Sequence, residues 1–469
     1  MTPHAPSTAS VGQAGQPLVV RLFAPVDIGW LVYFRVCFGL LAAWLMWMFF
    51  SSGAIERHYI LPKLHFTYYG FEWVQPWPGN GMYWHFAGLV AAAVCIAFGV
   101  LTRVSCLLFG VGFAYVFLLE QARYMNHFYL LVLISLLLAF VPAGRAFSID
   151  ALLHPQIRSK SVPTWCLRLF QIQIGLVYLF AGVAKLDADW LQGAPLALML
   201  ADRTDAPLIG AFFTERWMIM LMSYGSLLFD LLAFPMLMWR PTRVAALVLS
   251  AGFHLMNSQI FHIDVFPWFM LAATVILFFP DWLPYPRRDD SASKARQLQE
   301  TTPRLDVRQR LTLGLLGLYL LVQFLVPLRH LLYPGNANWT NQGNRFAWRM
   351  LLRHKAGYPP AFLATYRKGG QVQDERLAVP TDPEFWWRHW QYRKMITNPD
   401  MILQFCHKSA RELEQQGCED VDIRAHVLVS LNGRTPQYLV DPNVNLAAQP
   451  RNLWSADWIV PLTQPLPEK

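Results

Sequence analysis

Charge is what this 469-residue chain has little of: Asp, Glu, Lys and Arg together make up 15% of it, against 55% hydrophobic side chains. That balance excludes an ordinary soluble globule and leaves a polytopic membrane protein. Cysteine and histidine fall at no spacing that would hold zinc, and HExxH is absent, so no metal is expected. The first twenty residues are small and polar, without a basic stretch leading into a short apolar core. No cleaved leader is therefore expected, and the first helix should itself direct insertion. No internal repeat is evident.

What the chain does have is long apolar runs. Nine stretches approach the length a bilayer demands of a helix: 28–50, 81–101, 105–119, 127–142, 166–184, 217–239, 244–259, 265–284 and 310–327. Basic residues gather in alternate loops, at Arg145, Arg158 and Lys160, at Arg240 and Arg243, and from Arg287 to Arg308. Such loops stay on the cytoplasmic side, which puts the N-terminus inside and the C-terminus outside. The net charge of +9 is then mostly topological. It points to anionic lipids as neighbours and gives no support for nucleic acid.

The fold class expected is mainly α: a transmembrane helical bundle of about nine spans, with a C-terminal α+β domain outside the membrane. Residues 1–20 read as a disordered tail, 21–327 as the bundle with a charged inner linker at 285–309, and 328–469 as the outer domain. In that domain FLATYR, Gly369-Gly370 and VQDERLAVP predict a hairpin. Residues 383–395 and 399–415 predict two helices, and VDIRAHVLVSLNG with PQYLVD predicts a strand pair. Four of the six cysteines lie in or beside spans and read as core. Cys406 and Cys418 flank the second outer helix in an oxidising compartment, which makes a local disulfide an expectation to test.

Polar chemistry is concentrated at few places. The apolar fifth span runs into AGVAKLDADW, Ala181 to Trp190. By itself Lys185 reads first as an anchor reaching toward headgroups, and second as a buried base, since burial disfavours an ammonium and a base must be neutral. Asp187 and Asp189 read as groups that cap or orient backbone. His127 alone reads as an interfacial aromatic. His254 and Asn257, three residues apart, share a helix face; an interhelical hydrogen-bond pair and a hold on a cofactor or CO2 are both open. In the proposed topology Lys185, His127 and the His254, Asn257, His262 group all fall toward the outer end. Arg35 and Asp230 are the deep, opposite charges of the first and sixth spans and are expected to pair as a structural element.

AGVAKLDADW, Asn126-His127-Phe128-Tyr129-Leu130, FHLMNSQIF from Phe253, NWTNQGNRFAWRMLL from Asn338 and SLNGRTPQYLVDP from Ser430 together resemble the vitamin K-dependent γ-glutamyl carboxylase family. Its membrane part is also called the horizontally transferred transmembrane (HTTM) domain. The resemblance implies that Lys185 is the catalytic base and that His127 assists formation of the glutamyl carbanion. It implies a cofactor, vitamin K hydroquinone or menaquinol, near Tyr129, His254 and Asn257, with O2 and CO2 as co-substrates. A glutamate-containing peptide or protein would meet Trp339, Thr340, Arg345 and Trp348, either as a binding surface or with these residues packing the outer domain on the bundle.

The implied reaction has a physical logic. A glutamyl γ-carbon is too weak an acid for any side chain near neutral pH. In the family a neutral lysine deprotonates the reduced cofactor, whose oxygenation supplies the stronger base, and a dry pocket protects the chemistry. The quinone would enter from the bilayer and the peptide from outside.

The chain departs from the animal enzymes in stopping soon after the outer domain and in having Ala184 where they carry another lysine. The expectation is a compact bacterial member, with the outer domain in the periplasm or an equivalent of the ER lumen. Two rivals stand: a quinone-epoxidising relative that modifies another substrate, and a non-enzymatic transporter or scaffold. Transporters place charges along a path through the midplane, whereas here the polar motifs gather at one end.

Overall fold

The computed structural model describes residues 18–206, 209–261, 263–282, 305–377 and 388–467. Most of the expected tail, His262, most of the linker expected at 285–309 and the start of the helix expected at 383–395 lie outside the described residues. Nine helices coincide with the nine apolar stretches: α1 (Gly29–Ser51), α2 (Gly81–Phe98), α3 (Thr102–Leu119), α4 (Asn126–Phe140), α5 (Thr164–Ala184), α6 (Arg216–Met238), α7 (Arg243–Ile260), α8 (Phe266–Phe278) and α9 (Val307–Leu328).

Six of these, α1, α2, α3, α5, α6 and α9, are long and apolar enough to cross a membrane. The expected nine crossings thus reduce to six that meet the requirement among the described residues. α4 and α8 are apolar but only 15 and 13 residues long. α7 has the length, but His254, Asn257, Ser258 and Gln259 make its last two turns partly polar. Burial ranks the helices: 78% of the apolar window of α5 is buried inside the protein against 11% of that of α9, so α5 is central and α9 peripheral.

β1 (Pro25–Asp27) pairs antiparallel with β2 (Ser161–Pro163) and ties the start of α1 to the start of α5. On α5, Gly182 lets α6 approach closely: a Cβ there would lie 2.7 Å from the Leu231 side chain and 2.9 Å from its backbone nitrogen.

The expected pairing of Arg35 with Asp230 is overturned. Arg35 is buried and donates instead to the carbonyls of Ala143 (2.8 Å), Ala146 (3.2 Å) and Phe147 (2.5 Å), in the turn that leaves α4. Asp230 bonds Lys185. Counting residues from the helix ends placed Arg35 and Asp230 at one depth, but the contacts set Arg35 against the turn after α4 and Asp230 against the residue that follows α5. Arg35→Leu should strand three carbonyls and cost about 3 kcal/mol or more. Thermal unfolding in detergent should show this loss adding to that of Asp230→Leu, since the two side chains share no partner; recovery in the double variant would restore the pairing.

Beyond α9 the C-terminal domain, called outer below for the side on which it is expected, holds β3 (Lys355–Gly357), β4 (Ala361–Lys368), β5 (Gln371–Arg376), α10 (Arg388–Met395), α11 (Pro399–Gln415), β6 (Glu419–His426), β7 (Leu428–Leu431) and β8 (Gln437–Tyr438). The predicted hairpin is β4–β5, turned by Gly369 and Gly370 at φ 59° and 81°. Phe362, Ala364 and Tyr366 alternate inward along β4. The expected later strand pair is divided. β6 already fills the length of β4 and completes the sheet β5-β4-β6, so at Val427 the chain passes to a second sheet, β3-β7-β8.

Cys406 and Cys418 are both buried and unbonded, against the expected disulfide. The Cys418 amide bonds the Leu413 carbonyl, seven residues along α11 from Cys406. That is about 10 Å of helix, beyond the roughly 7 Å that a disulfide spans between Cα atoms.

Candidate functional site

Lys185 follows the last residue of α5, yet it does not stand at the end of the bundle. α6 continues from Asp230 back to Arg216, about 21 Å of helix, and the short helices Ala188–Leu191 and Ala194–Ala201 fold against that part. Lys185 is therefore enclosed, 4% exposed, and so is Asp230 at 4%. Lys185 Nζ donates to Asp230 Oδ2 and lies 5.2 Å from the centre of the Trp190 ring. Trp190 is pinned by a reciprocal pair of bonds: its indole N–H donates to the Ser223 carbonyl at 3.0 Å and the Ser223 hydroxyl to the Trp190 carbonyl at 2.5 Å.

The two aspartates after Lys185 face the outer domain. Asp189 takes a two-pronged contact from Arg434, Nη1 to Oδ2 at 2.5 Å and Nη2 to Oδ1 at 2.6 Å, and a bond from Asn432 at 2.8 Å. Asp187 caps the short helix by accepting from the Asp189 amide at 3.0 Å, and Asn338 donates to it at 3.4 Å. Asn338 in turn accepts from Arg349 at 3.1 Å. Burial, and then the Asp189 carboxylate beside it, holds Asp187 above the usual carboxylate range, while burial lowers Arg349. Asp187 thus caps neighbouring backbone, as the alternation with apolar residues suggested, whereas Asp189 bonds side chains of a distant segment instead.

The histidines lie on either side of Phe266, whose ring centre is 5.9 Å from that of His127 and 6.3 Å from that of His254. His127 Nε2 is 3.5 Å from Asp264 Oδ2. His254 Nε2 shares a 2.8 Å hydrogen bond with the Tyr178 hydroxyl of α5, while its Nδ1 is buried without a hydrogen-bond partner. Asn257 is buried one turn on. Tyr129 stands apart from them, its ring 5.1 Å from Trp348 and 5.0 Å from Phe346, its hydroxyl accepting from Gln323 at 3.3 Å.

Two cavities open elsewhere among the described residues, and neither is lined by Lys185 or Asp230. One, of about 510 Å³ between α6 and α7, is lined almost wholly by apolar side chains, among them Met218, Met222, Leu232 and Met256. Phe229 and Phe253 line it as well, and both also pack on His254. The other, of about 410 Å³, lies between the bundle and the outer domain and carries Arg329, Arg345 and Arg451 beside Tyr68, Thr340 and Asp400. Arg451 is neutralised by Asp400 and Glu72. Arg345 lies over the Tyr68 ring at 5.6 Å and has no carboxylate partner among the described residues.

Of the four outer residues singled out from sequence, Thr340 and Arg345 line this second cavity, whereas Trp339 and Trp348 do not. Trp339 is fully buried, with its indole N–H on the Val460 carbonyl at 2.7 Å, and the Lys355 ammonium sits over its ring at 5.6 Å. Burial pushes Lys355 well below the ordinary lysine value. Trp348 packs on Tyr129, so the aromatic pair joins the outer segment to the bundle.

Sequence reasoning missed Asp264, Tyr178, Trp190 and Arg434 as partners. A lone acid in an apolar span did signal Asp230, but not which cation it meets. No metal-ligating cluster occurs among the described residues.

A buried lysine and carboxylate enclosed in an apolar helical bundle, beside a turn that bonds a C-terminal domain, define a polytopic membrane protein with an enclosed polar centre. The HTTM domain matches residues 23–282, more than half of the chain, and the vitamin K-dependent gamma-carboxylase lumenal domain matches residues 308–465. The chain belongs to the vitamin K-dependent carboxylase family. No solved structure matches it.

Proposed function

We propose that the protein is a vitamin K-dependent γ-glutamyl carboxylase, integral to the membrane with its outer domain on the extracytoplasmic side. The observation that carries this reading is the burial of Lys185 against Asp230 and Trp190 in a chain whose two domain matches are those of the carboxylase family. The apolar cavity suits a quinone arriving from lipid, and the unpartnered Nδ1 of His254 behind its Phe229 and Phe253 wall is a polar atom that a quinone oxygen would satisfy. The cavity holding Arg345 suits a glutamate side chain.

Reduced vitamin K or menaquinol, when bound, supplies through its reaction with O2 the basicity that no side chain has, and ends as its epoxide. Lys185 takes the initiating proton. Trp190 and the apolar walls keep water from it, which preserves a reaction that bulk water would quench. His127, held toward Asp264, assists removal of the γ-proton before CO2 adds to give γ-carboxyglutamate.

The test is incorporation of labelled CO2 into a glutamate-rich peptide by purified protein with reduced vitamin K and O2. Label in the γ-carboxyl, dependent on both, is expected; epoxide formed with no label in peptide would turn the reading toward a relative that modifies another substrate. His127→Ala should separate the two outputs, lowering carboxylation roughly 10²-fold while epoxide formation falls far less. Both products are measured from one reaction, and an equal fall in each would return His127 to a structural role.

A further inference from the structure

We propose that Asp230 is the proton acceptor behind Lys185, so that the lysine works as a relay and not as an isolated amine; this rests on the carboxylase reading. An ammonium bonded to a carboxylate has no lone pair with which to take a proton. Nζ must first give one up, and the base in contact with it is Asp230 Oδ2. The neighbouring acids are engaged elsewhere: Asp189 by Arg434 and Asn432, Asp187 by the Asp189 amide and Asn338. Tyr178 and His254, the next titratable groups, bond each other at 2.8 Å. Lys185 is the hydrogen-bond partner of Asp230 among the described residues.

Enclosure makes the transfer cheap. Two opposite charges taken out of water each forfeit hydration, and their attraction only partly offsets that loss. An amine beside a carboxylic acid carries no such penalty, so moving the proton from Nζ to Oδ2 costs far less here than at a surface. As Nζ–H passes to Oδ2, the proton of the cofactor hydroxyl passes to Nζ. One proton is transferred overall, no electrons move, and the ammonium regenerated on Lys185 faces the oxygen that has lost its proton. The close approach of α6 at Gly182 and the pinning of Trp190 by Ser223 keep the two donors and acceptors in line.

The experiment is an infrared difference spectrum recorded when reduced vitamin K is added to the purified protein under argon, where turnover is blocked. A protonated-carboxyl band should appear, shift with carbon-13 aspartate and be missing from Asp230→Asn. Epoxide formation by Asp230→Asn in air should fall about 100-fold or more, and Asp230→Glu should recover at least roughly tenfold of that by keeping the acceptor. Absence of the band in the wild type, or an Asp230→Asn variant as fast as the wild type, would overturn the proposal. Should Asp230→Asn fail to fold, Asp230→Glu carries the test, its band answering to carbon-13 glutamate instead. A wild-type protein that makes no epoxide would sink the carboxylase reading, while the band, which needs only binding, still decides whether Asp230 accepts the proton.

Discussion

Lys185→Ala is expected to lose both epoxide formation and carboxylation, by about 10³-fold or more, while the protein stays folded. Positioned acid–base groups contribute about 10² to 10⁴-fold, and the loss should stand at the upper end because every later step waits on the first proton. Truncation also leaves a space between Asp230 and Trp190 into which a small primary amine fits. Added amine should therefore restore part of the epoxide and carboxylated product in parallel. Retention of wild-type carboxylation would sink the assignment of Lys185. Rescue of one product without the other would place Lys185 after the branch between them.

Arg434→Ala should produce the largest loss of stability. It removes both charged bonds to a buried carboxylate and leaves Asp189 with Asn432 alone. Breaking one half of a buried pair costs about 3–5 kcal/mol, because the remaining charge keeps its desolvation without its compensation. Pairing the change with Asp189→Leu should recover a large part of that loss, since apolar replacement of both partners leaves no stranded charge. Thermal unfolding in detergent of the single and double variants measures this. If Arg434→Ala unfolds with the wild type, the outer domain is not held to the Lys185 turn through this contact.

The helices were the most legible part of the molecule. Nine apolar runs became nine helices with ends within three residues, save α8, which stops at Phe278 where 284 was expected, because a long apolar stretch has few stable alternatives in lipid. In the outer domain the β4–β5 hairpin was legible from its Gly-Gly turn and alternation, and α11 from its apolar spacing. The strand after α11 was not: one continuous β-forming run serves two sheets, and nothing local marks Val427 as the point of change.

Residue types at the site were legible, but their partners were not. Lys185 and His127 stood out by resemblance, and Arg35 and Asp230 because charges in apolar spans are rare. Pairing these last two assumed that equal depth means contact, but Asp230 bonds Lys185 and Arg35 bonds the turn after α4. The Cys406–Cys418 expectation failed for a related reason. Twelve residues in sequence say nothing about separation once most of them are helical.

Composition, apolar length and motif order by themselves determined that this is a helical membrane protein with a C-terminal region that carries small sheets, and which family it resembles. These properties depend on local chain energetics and on short words that survive without coordinates. Only the tertiary structure decided that Lys185 is enclosed, that Asp230 is its partner, that Asp189 answers to Arg434, 245 residues away, and that Trp339 is buried while Arg345 lines a cavity. Each of those is a contact between distant segments, set by helix offset and close approach at glycine, and the free energy of such a contact resides in geometry that no single segment encodes.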